Sequence, residues 1–180
     1  ELDPHREEKD ACATAFLYLS QIHRGTGKKD KTADCARKAV ALSEEVSEEQ
    51  SLLNTLVEAA ELLSDAGFSG EALQLVQRGK ELLESIEAGP HVIHRLRATE
   101  CIAITESRPG DAVEGFEAVL LNDDLPSEDR AEVLYRLYLI TGEEKYRLQG
   151  LEQWKKLNGQ RPKAICRDRI ESLEEATSGV

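Results

Sequence analysis

His91, His94 and Cys101 are the residues whose types and spacing come nearest to a chemical site. They lie at positions i, i+3 and i+10 of one helix-like segment, so two imidazoles and a thiol on one face could supply part of a zinc site. A structural zinc site needs four ligands, and no matching Cys/His pair stands elsewhere in the chain. We therefore expect a buried Cys101, two histidines on an exposed first turn after Gly89-Pro90, and neither a metal ion nor another cofactor.

Residues 24–29 form a glycine-containing basic segment that superficially resembles a phosphate-binding loop. The motif G-x-x-x-x-G-K-[ST] needs a glycine where Ile22 stands and a serine or threonine where Lys29 stands, and it follows a β-strand. Here the segment joins two helix-like segments. We interpret it as a solvated basic loop.

Two acidic clusters have the residue types needed for acid/base chemistry or cation binding. Both fall at helix starts or linkers, where carboxylates interact favourably with the helix dipole, and neither matches the calcium-loop pattern. We interpret them as solvated surface, with attraction of a basic partner segment as the functional alternative. Because no Ser/His/Asp or Cys/His arrangement can be recognised, we expect the chain not to be an enzyme. The clusters are Glu44, Glu45, Glu48 and Glu49, and Asp123, Asp124, Glu128 and Asp129.

Composition narrows the choice of partner and compartment. The chain has 180 residues, with 23 Lys and Arg against 35 Asp and Glu, which gives a net charge of −12. Nucleic acids and anionic membranes both demand a basic surface, so we expect neither as a partner. No apolar run approaches the roughly 18 residues that a membrane helix needs. Four scattered cysteines without a C-x-x-C pair favour a reducing cytoplasm.

Helical periodicity runs through nearly the whole sequence, and the alternating pattern of β-strands is missing. Glycine and proline interrupt it at regular places and leave segments of about 12–18 residues, which predicts paired helices in an all-α fold. Ser47-x-x-Gln50 resembles a capping box at the start of one helix. The interruptions are Gly25 and Gly27, Gly67 and Gly70, Gly89-Pro90, Pro109-Gly110, Pro126, Gly142, and residues 159–162.

Small residues recur at fixed places in the second helix of each pair. A small–large–small stripe lets two helices approach closely, while the larger residue fills the groove between them. The four stripes start 36, 40 and 38 residues apart, which predicts a helical-repeat array. They are Ala36, Val40, Ser43; Ala72, Val76, Gly79; Ala112, Phe116, Val119; and Gly150, Trp154, Leu157. The first helices carry apolar stripes at Phe16, Leu19, His23; Leu56, Ala59, Ala60, Leu63; Ala98, Cys101; and Leu134, Leu137, Tyr138.

The pattern resembles the tetratricopeptide repeat family, and residues 53–84 resemble its consensus best. The matching positions are Ala60, Leu63, Gly67, Ala72, Val76 and Gly79. The resemblance implies a single domain, 1–180, built as a right-handed superhelix of about four antiparallel helix hairpins. The approximate units are 11–46, 51–87, 91–122 and 127–158. A C-terminal cap helix would follow at 162–177, with Ala164, Ile165, Ile170 and Leu173 on its apolar side.

The first helices of such an array line a concave surface that receives an extended peptide or a helix. The resemblance therefore implies a cytoplasmic adaptor that binds a protein or peptide partner. Some family members grip a chaperone's C-terminal carboxylate with a Lys/Asn/Arg clamp, but two clamp positions here hold Val57 and Glu61, so we reject that specialisation. The implied surface positions are Thr14, Leu17, Gln21, Arg24; Asn54, Val57, Glu61, Ser64; and Val92, Arg95, Thr99, Ile102.

An alternative function follows from the ends of the chain. The sequence begins at Glu1 and contains no Met, and a basic stretch near its end contrasts with the acidic remainder. These features favour a regulatory or scaffold segment that packs against other domains of a larger protein. In isolation such a segment would expose an apolar patch and self-associate. The basic stretch consists of Arg161, Lys163, Arg167 and Arg169.

Overall fold

The structure, a computed structural model, describes residues 4–176, and throughout this range the fold is all-α, as predicted. Thr177, the last residue of the predicted cap helix, lies outside the described residues, as do residues 1–3 and 178–180 of the predicted domain. The helices are α1 (Pro4–Gly25), α2 (Lys29–Val46), α3 (Glu49–Asp65), α4 (Ser69–Leu83), α5 (Pro90–Ile104), α6 (Pro109–Leu120), α7 (Ser127–Thr141), α8 (Glu144–Gln160) and α9 (Ala164–Glu175).

Most helices end near the predicted interruptions, but α1 begins at Pro4, before the predicted first unit at 11, and α9 spans Ala164–Glu175 where the sequence predicts a cap helix over 162–177. Gly67 and Gly142 end α3 and α7 with φ angles of 92° and 68°, a left-handed conformation that glycine adopts without a steric penalty. The predicted capping box is wrong, because Glu48 precedes α3 without a capping hydrogen bond from its side chain. Ser47 ends α2 instead, and its hydroxyl donates to Asp10 Oδ1 of α1 at 2.8 Å.

The chain divides into two compact units, residues 1–106 and 107–180, and the two helices of predicted unit 91–122 fall on either side of this division. In the first unit, α1 packs against α2 and α3, while α3 also packs against α2, α4 and α5. The predicted stripes of α2 and α4 are buried, and so is the predicted apolar stripe of α3, which consists of Leu56, Ala59, Ala60 and Leu63.

The predicted stripe of α1 is wrong at Leu19, whereas Phe16 and His23 are half-buried. Leu19 is exposed, and the buried residues of the helix are Ala13, Leu17 and Ser20. Ser20 can lie in the core because its hydroxyl donates to the carbonyl of Thr32 on α2 at 2.7 Å, which satisfies the buried polar group. A rotation of about 100° per residue then turns Leu19 away from the core.

The second unit has a core in which α8 contacts both α7 and α9. Trp154 is 1 % exposed and packs with Ala131, Tyr135, Cys166 and Leu173. Of the predicted stripes of this unit, Tyr138 of α7 and Leu157 of α8 are half-buried, and the other members are buried. In α9, Leu173 is buried as predicted, Ile165 and Ile170 are half-buried, and Ala164 is exposed.

Arg147 of α8 is a buried cation that joins α8 to α9 by a hydrogen bond. Its Nη1 donates to the carbonyl of Leu173 in the last turn of α9 at 2.8 Å. Its Nε and Nη2 donate to both carboxylate oxygens of Glu144, and these hydrogen bonds lower the pKa of Glu144 and raise the pKa of Arg147. A positive charge close to carbonyls at a helix C-terminus stabilises the helix end.

Glycines of α4 and α8 face neighbouring helices, and the approach is tight at Gly79 and of ordinary van der Waals distance at Gly150. A Cβ atom at Gly79 of α4 would lie 3.1 Å from Leu96 of α5 and 3.3 Å from Leu53 of α3. A Cβ atom at Gly150 of α8 would lie 3.5 Å from Leu134 of α7 and 3.6 Å from Leu173 of α9. In both units, therefore, a glycine of a second helix faces the helices before and after it.

We predict that Gly79→Val lowers the free energy of unfolding by about 1–3 kcal/mol, because its methyl groups would overlap both leucines. The matched control is Gly70→Val in the same helix, where an added Cβ meets nothing within 4 Å. We expect the control to change the free energy by less than about 1 kcal/mol. Urea unfolding followed by circular dichroism measures both, and equal effects would contradict the packing argument.

Candidate functional site

The positions implied as partner-binding occupy α1, α3 and α5, and the structure places them at three different depths. Gln21 and Asn54 are exposed. Five others are half-buried and retain accessible polar or apolar surface: Arg24, Glu61, Ser64, Arg95 and Ile102. Of the remaining positions, Thr14 is exposed and Val92 is buried.

Leu17, Val57 and Thr99 are buried, which corrects their expected contact with a partner. Leu17 and Val57 belong to the hydrophobic core of the first unit. The hydroxyl of Thr99 donates to the carbonyl of Arg95 one turn earlier, at 2.9 Å. These side chains lie beneath the surface, with at most 8 % of their area exposed, so a ligand cannot contact them appreciably.

Three polar contacts join α1, α3 and α5. Gln21 Nε2 donates to Glu58 Oε1 at 2.5 Å, and Arg24 Nη1 donates to Asp65 Oδ2 at 3.1 Å, so both link α1 to α3. Arg95 Nη2 donates to Glu61 Oε2 at 2.9 Å and links α5 to α3. We call the surface that these residues form together with Asn54 the polar face: Gln21, Arg24, Asn54, Glu58, Glu61, Asp65 and Arg95.

Sequence analysis missed Glu58 and Asp65, although one signal in the sequence points to Asp65. The contacts of the polar face join residues 37, 41 and 34 positions apart. Similar separations join α2 to α4 through Arg37 and Glu71, at 34 positions, and α7 to α9 through Glu132 and Arg169, at 37 positions. A search for opposite charges 34 to 41 positions apart would have found Asp65 through Arg24, but not Glu58, because its partner Gln21 is uncharged.

The ion pairs of the polar face are partly solvated, which determines what they contribute. The arginines retain 32 % and 38 % of their side-chain exposure, and pairs of this kind stabilise a fold by only about 0–1 kcal/mol. They do restrict the side-chain orientations of the guanidinium and carboxylate groups. The polar face therefore presents hydrogen-bonding groups that are already ordered and that a ligand can recruit at low cost.

A separate groove lies between α2 and α4 of the first unit. Its volume is about 180 Å³, with Val40, Leu63 and Leu75 among its lining residues. Arg37 at its edge donates to both oxygens of Glu71 at 2.8 and 2.9 Å, which lowers the pKa of Glu71. Pockets for small organic ligands usually measure about 300–1,000 Å³, so this groove is below the usual size for such a site.

The two histidines and the cysteine considered as zinc ligands differ in part from their predicted burial. Cys101 is buried as expected, but His94 is also buried, although His91 on the same turn is exposed. Burial raises the pKa of Cys101 to about 11, with the nearby Glu100 carboxylate adding to this effect, so its thiol stays protonated near neutral pH. Between residues 4 and 176, no group of three or more His, Cys, Asp or Glu residues is placed to hold a metal ion.

The cysteine near the start of α1 differs from the two in the cores. Cys12 is exposed, whereas Cys101 and Cys166 are buried. In the basic loop, Lys28 and Lys29 are exposed, which agrees with a solvated loop.

We predict that stability falls between about pH 9 and 11 in a manner that depends on Cys101. In this window the unfolded chain releases the thiol proton, whereas the folded chain keeps it until the pKa of about 11 is reached, so rising pH favours unfolding. Chemical unfolding of the wild type and of Cys101→Ala at pH 8 and pH 10.5 tests this. The variant should lose less stability over that interval, and parallel losses would contradict the prediction.

None of the helices in the described part of the chain has both the length and the apolar character to cross a membrane. Comparisons with protein-family models, with curated proteins and with solved structures give no match. The resemblance to tetratricopeptide repeats therefore stays a prediction that depends on the residues of the stripes.

Proposed function

We propose that this chain is a protein-interaction module that binds a segment of a partner protein on the polar face. The observation that carries the proposal is the set of cross-helix contacts made by Gln21, Arg24 and Arg95, which order side chains on three neighbouring helices. Ordered but solvent-accessible polar groups are suited to recognition, because little side-chain entropy remains to be lost on binding.

The arrangement of the helices supports a repeat architecture for this module. In the first unit, α3 contacts both α1 and α5, and polar contacts about one repeat length apart join these first helices. In each unit, a second helix also contacts the first helices before and after it at a glycine, Gly79 or Gly150. We propose a right-handed superhelix of antiparallel hairpins, similar to tetratricopeptide repeats, with α9 as its cap.

The polar face indicates the chemistry of the partner segment. Three carboxylates, from Glu58, Glu61 and Asp65, alternate with the guanidinium groups of Arg24 and Arg95. A partner that carries both charges can take over these contacts, and a basic excess is favoured by the net charge of −12. The partner is therefore proposed to be a polar, predominantly basic peptide or helix.

The expected cytoplasmic location and the expected lack of enzymatic activity stay predictions that accompany this proposal. The scattered cysteines support the first expectation. The pKa of about 11 at the buried Cys101 thiol removes one candidate nucleophile, which supports the second.

We predict that the double variant Arg95→Glu/Asn54→Arg lowers partner affinity by about tenfold or more. Arg95→Glu breaks the ordered contact with Glu61, and Asn54→Arg adds a cation where a basic segment is proposed to bind. The partner is first identified by affinity capture from a native lysate with mass spectrometry, and a peptide from it is then titrated by calorimetry. Circular dichroism should show unchanged helicity.

The matched control is Arg97→Glu, which makes the same charge change at an exposed position of α5, about 200° around the helix from Arg95. It should leave affinity nearly unchanged. Equal binding by the double variant and the wild type would refute the polar face as the interface. Capture of no protein would favour the alternative function, a scaffold segment that packs within a larger protein.

A further inference from the structure

Helix α1 carries a second apolar surface on the side opposite its core residues Ala13, Leu17 and Ser20. Its largest members are far from buried, with Tyr18 at 62 %, Ile22 at 59 % and Leu19 at 43 % exposure. A helix that is apolar on both sides is typical of a helix covered on both sides. We call this surface the outer face of α1, and its residues are Ala11, Cys12, Ala15, Tyr18, Leu19 and Ile22.

The outer face is divided by residue size along the helix. Its first half holds the small side chains Ala11, Cys12 and Ala15, and its second half holds the large side chains Tyr18, Leu19 and Ile22. If two copies of the helix pack antiparallel about a twofold axis, the small half of each meets the large half of the other. Such size matching lets helices approach closely along their whole contact, and a twofold axis makes it self-complementary.

Charged residues at the two ends of the outer face support the same orientation. Glu7 and Glu8 lie about 13 Å before the midpoint of residues 11–22, at 1.5 Å per residue. Gly25 ends the helix about 13 Å after that midpoint, and the exposed Lys28 and Lys29 follow it. An antiparallel pair places the acidic end of each copy near the basic end of the other, whereas a parallel pair would place like charges together.

We propose that the protein forms a twofold dimer in which the outer face of α1 packs antiparallel against the outer face of a second copy. This interface does not depend on the polar face, because Gln21 and Arg24 are directed to α3 on another side of α1. One helix pair buries less area than a standard interface of about 1,600 Å², so we expect a dissociation constant on the order of 1–100 µM.

Sedimentation velocity of the full chain over a concentration series that spans this range tests the proposal. The wild type should pass from one chain to two, and Ile22→Lys should weaken association by about tenfold or more by placing a charge in the contact. The control is Leu148→Lys on α8, where a leucine of 53 % exposure lies in the other unit, and it should associate as the wild type does. A wild type that stays monomeric, or equal weakening by the control, would overturn the proposal.

Charge exchange tests the orientation of the pair. Both Glu7→Lys/Glu8→Lys and Lys28→Glu/Lys29→Glu should weaken the dimer by about fivefold at low salt, because each makes the facing ends alike in charge. A chain with all four substitutions should recover association, since opposite charges face each other again. Failure of the combined variant to recover would overturn the antiparallel arrangement.

Cys12 reports on the coverage of the outer face without any substitution. Its reaction with a maleimide should slow as protein concentration rises through the dissociation constant, and in Ile22→Lys the same slowing should need about tenfold or more higher concentration. A slow rate in a monomeric wild type would mean that another part of the same chain covers the face, and the dimer would then be rejected.

Discussion

The close approach of α4 to α3 and α5 is the constraint on which much of the first unit depends. Gly79 and Gly150 have no side chain at the points where α4 and α8 meet adjacent helices, and alanines fill the equivalent spaces elsewhere in the cores. Without this proximity, the first helices on either side would be held further apart. The contact of Arg95 with Glu61 joins α5 to α3, the two helices that Gly79 of α4 faces, and it requires a short distance between them.

The cores and the surface contribute to different properties of the molecule. Burial of leucines and of Trp154 supplies most of the driving force for folding, whereas half-exposed ion pairs add little. This separation means that charges on the polar face can change without loss of the fold. A helical scaffold of this kind can therefore acquire new binding preferences through surface substitutions, because its stability is determined elsewhere.

The second-helix stripes could be predicted from sequence because close packing demands small residues at a fixed spacing, and Ala72, Val76 and Gly79 satisfy that demand directly. The orientation of α1 could not, because apolar residues occur on both of its sides and the core includes a serine whose partner is the carbonyl of Thr32. At the candidate site, Arg24, Glu61 and Arg95 could be named, whereas Glu58 and Asp65 depend on how neighbouring helices align along their axes. Periodicity within one helix carries no information on that alignment.

The separation of 34 to 41 positions between contacting residues has a consequence for synthesis of the chain. In the first unit, α3 can engage α1 as soon as residues 58–65 have emerged from the ribosome, and α5 can then join α3 through Arg95. Structures with such local contacts have low contact order and fold quickly. The first unit can therefore assemble helix by helix in the order of translation, which limits how long the apolar sides of its early helices stay exposed to aggregation.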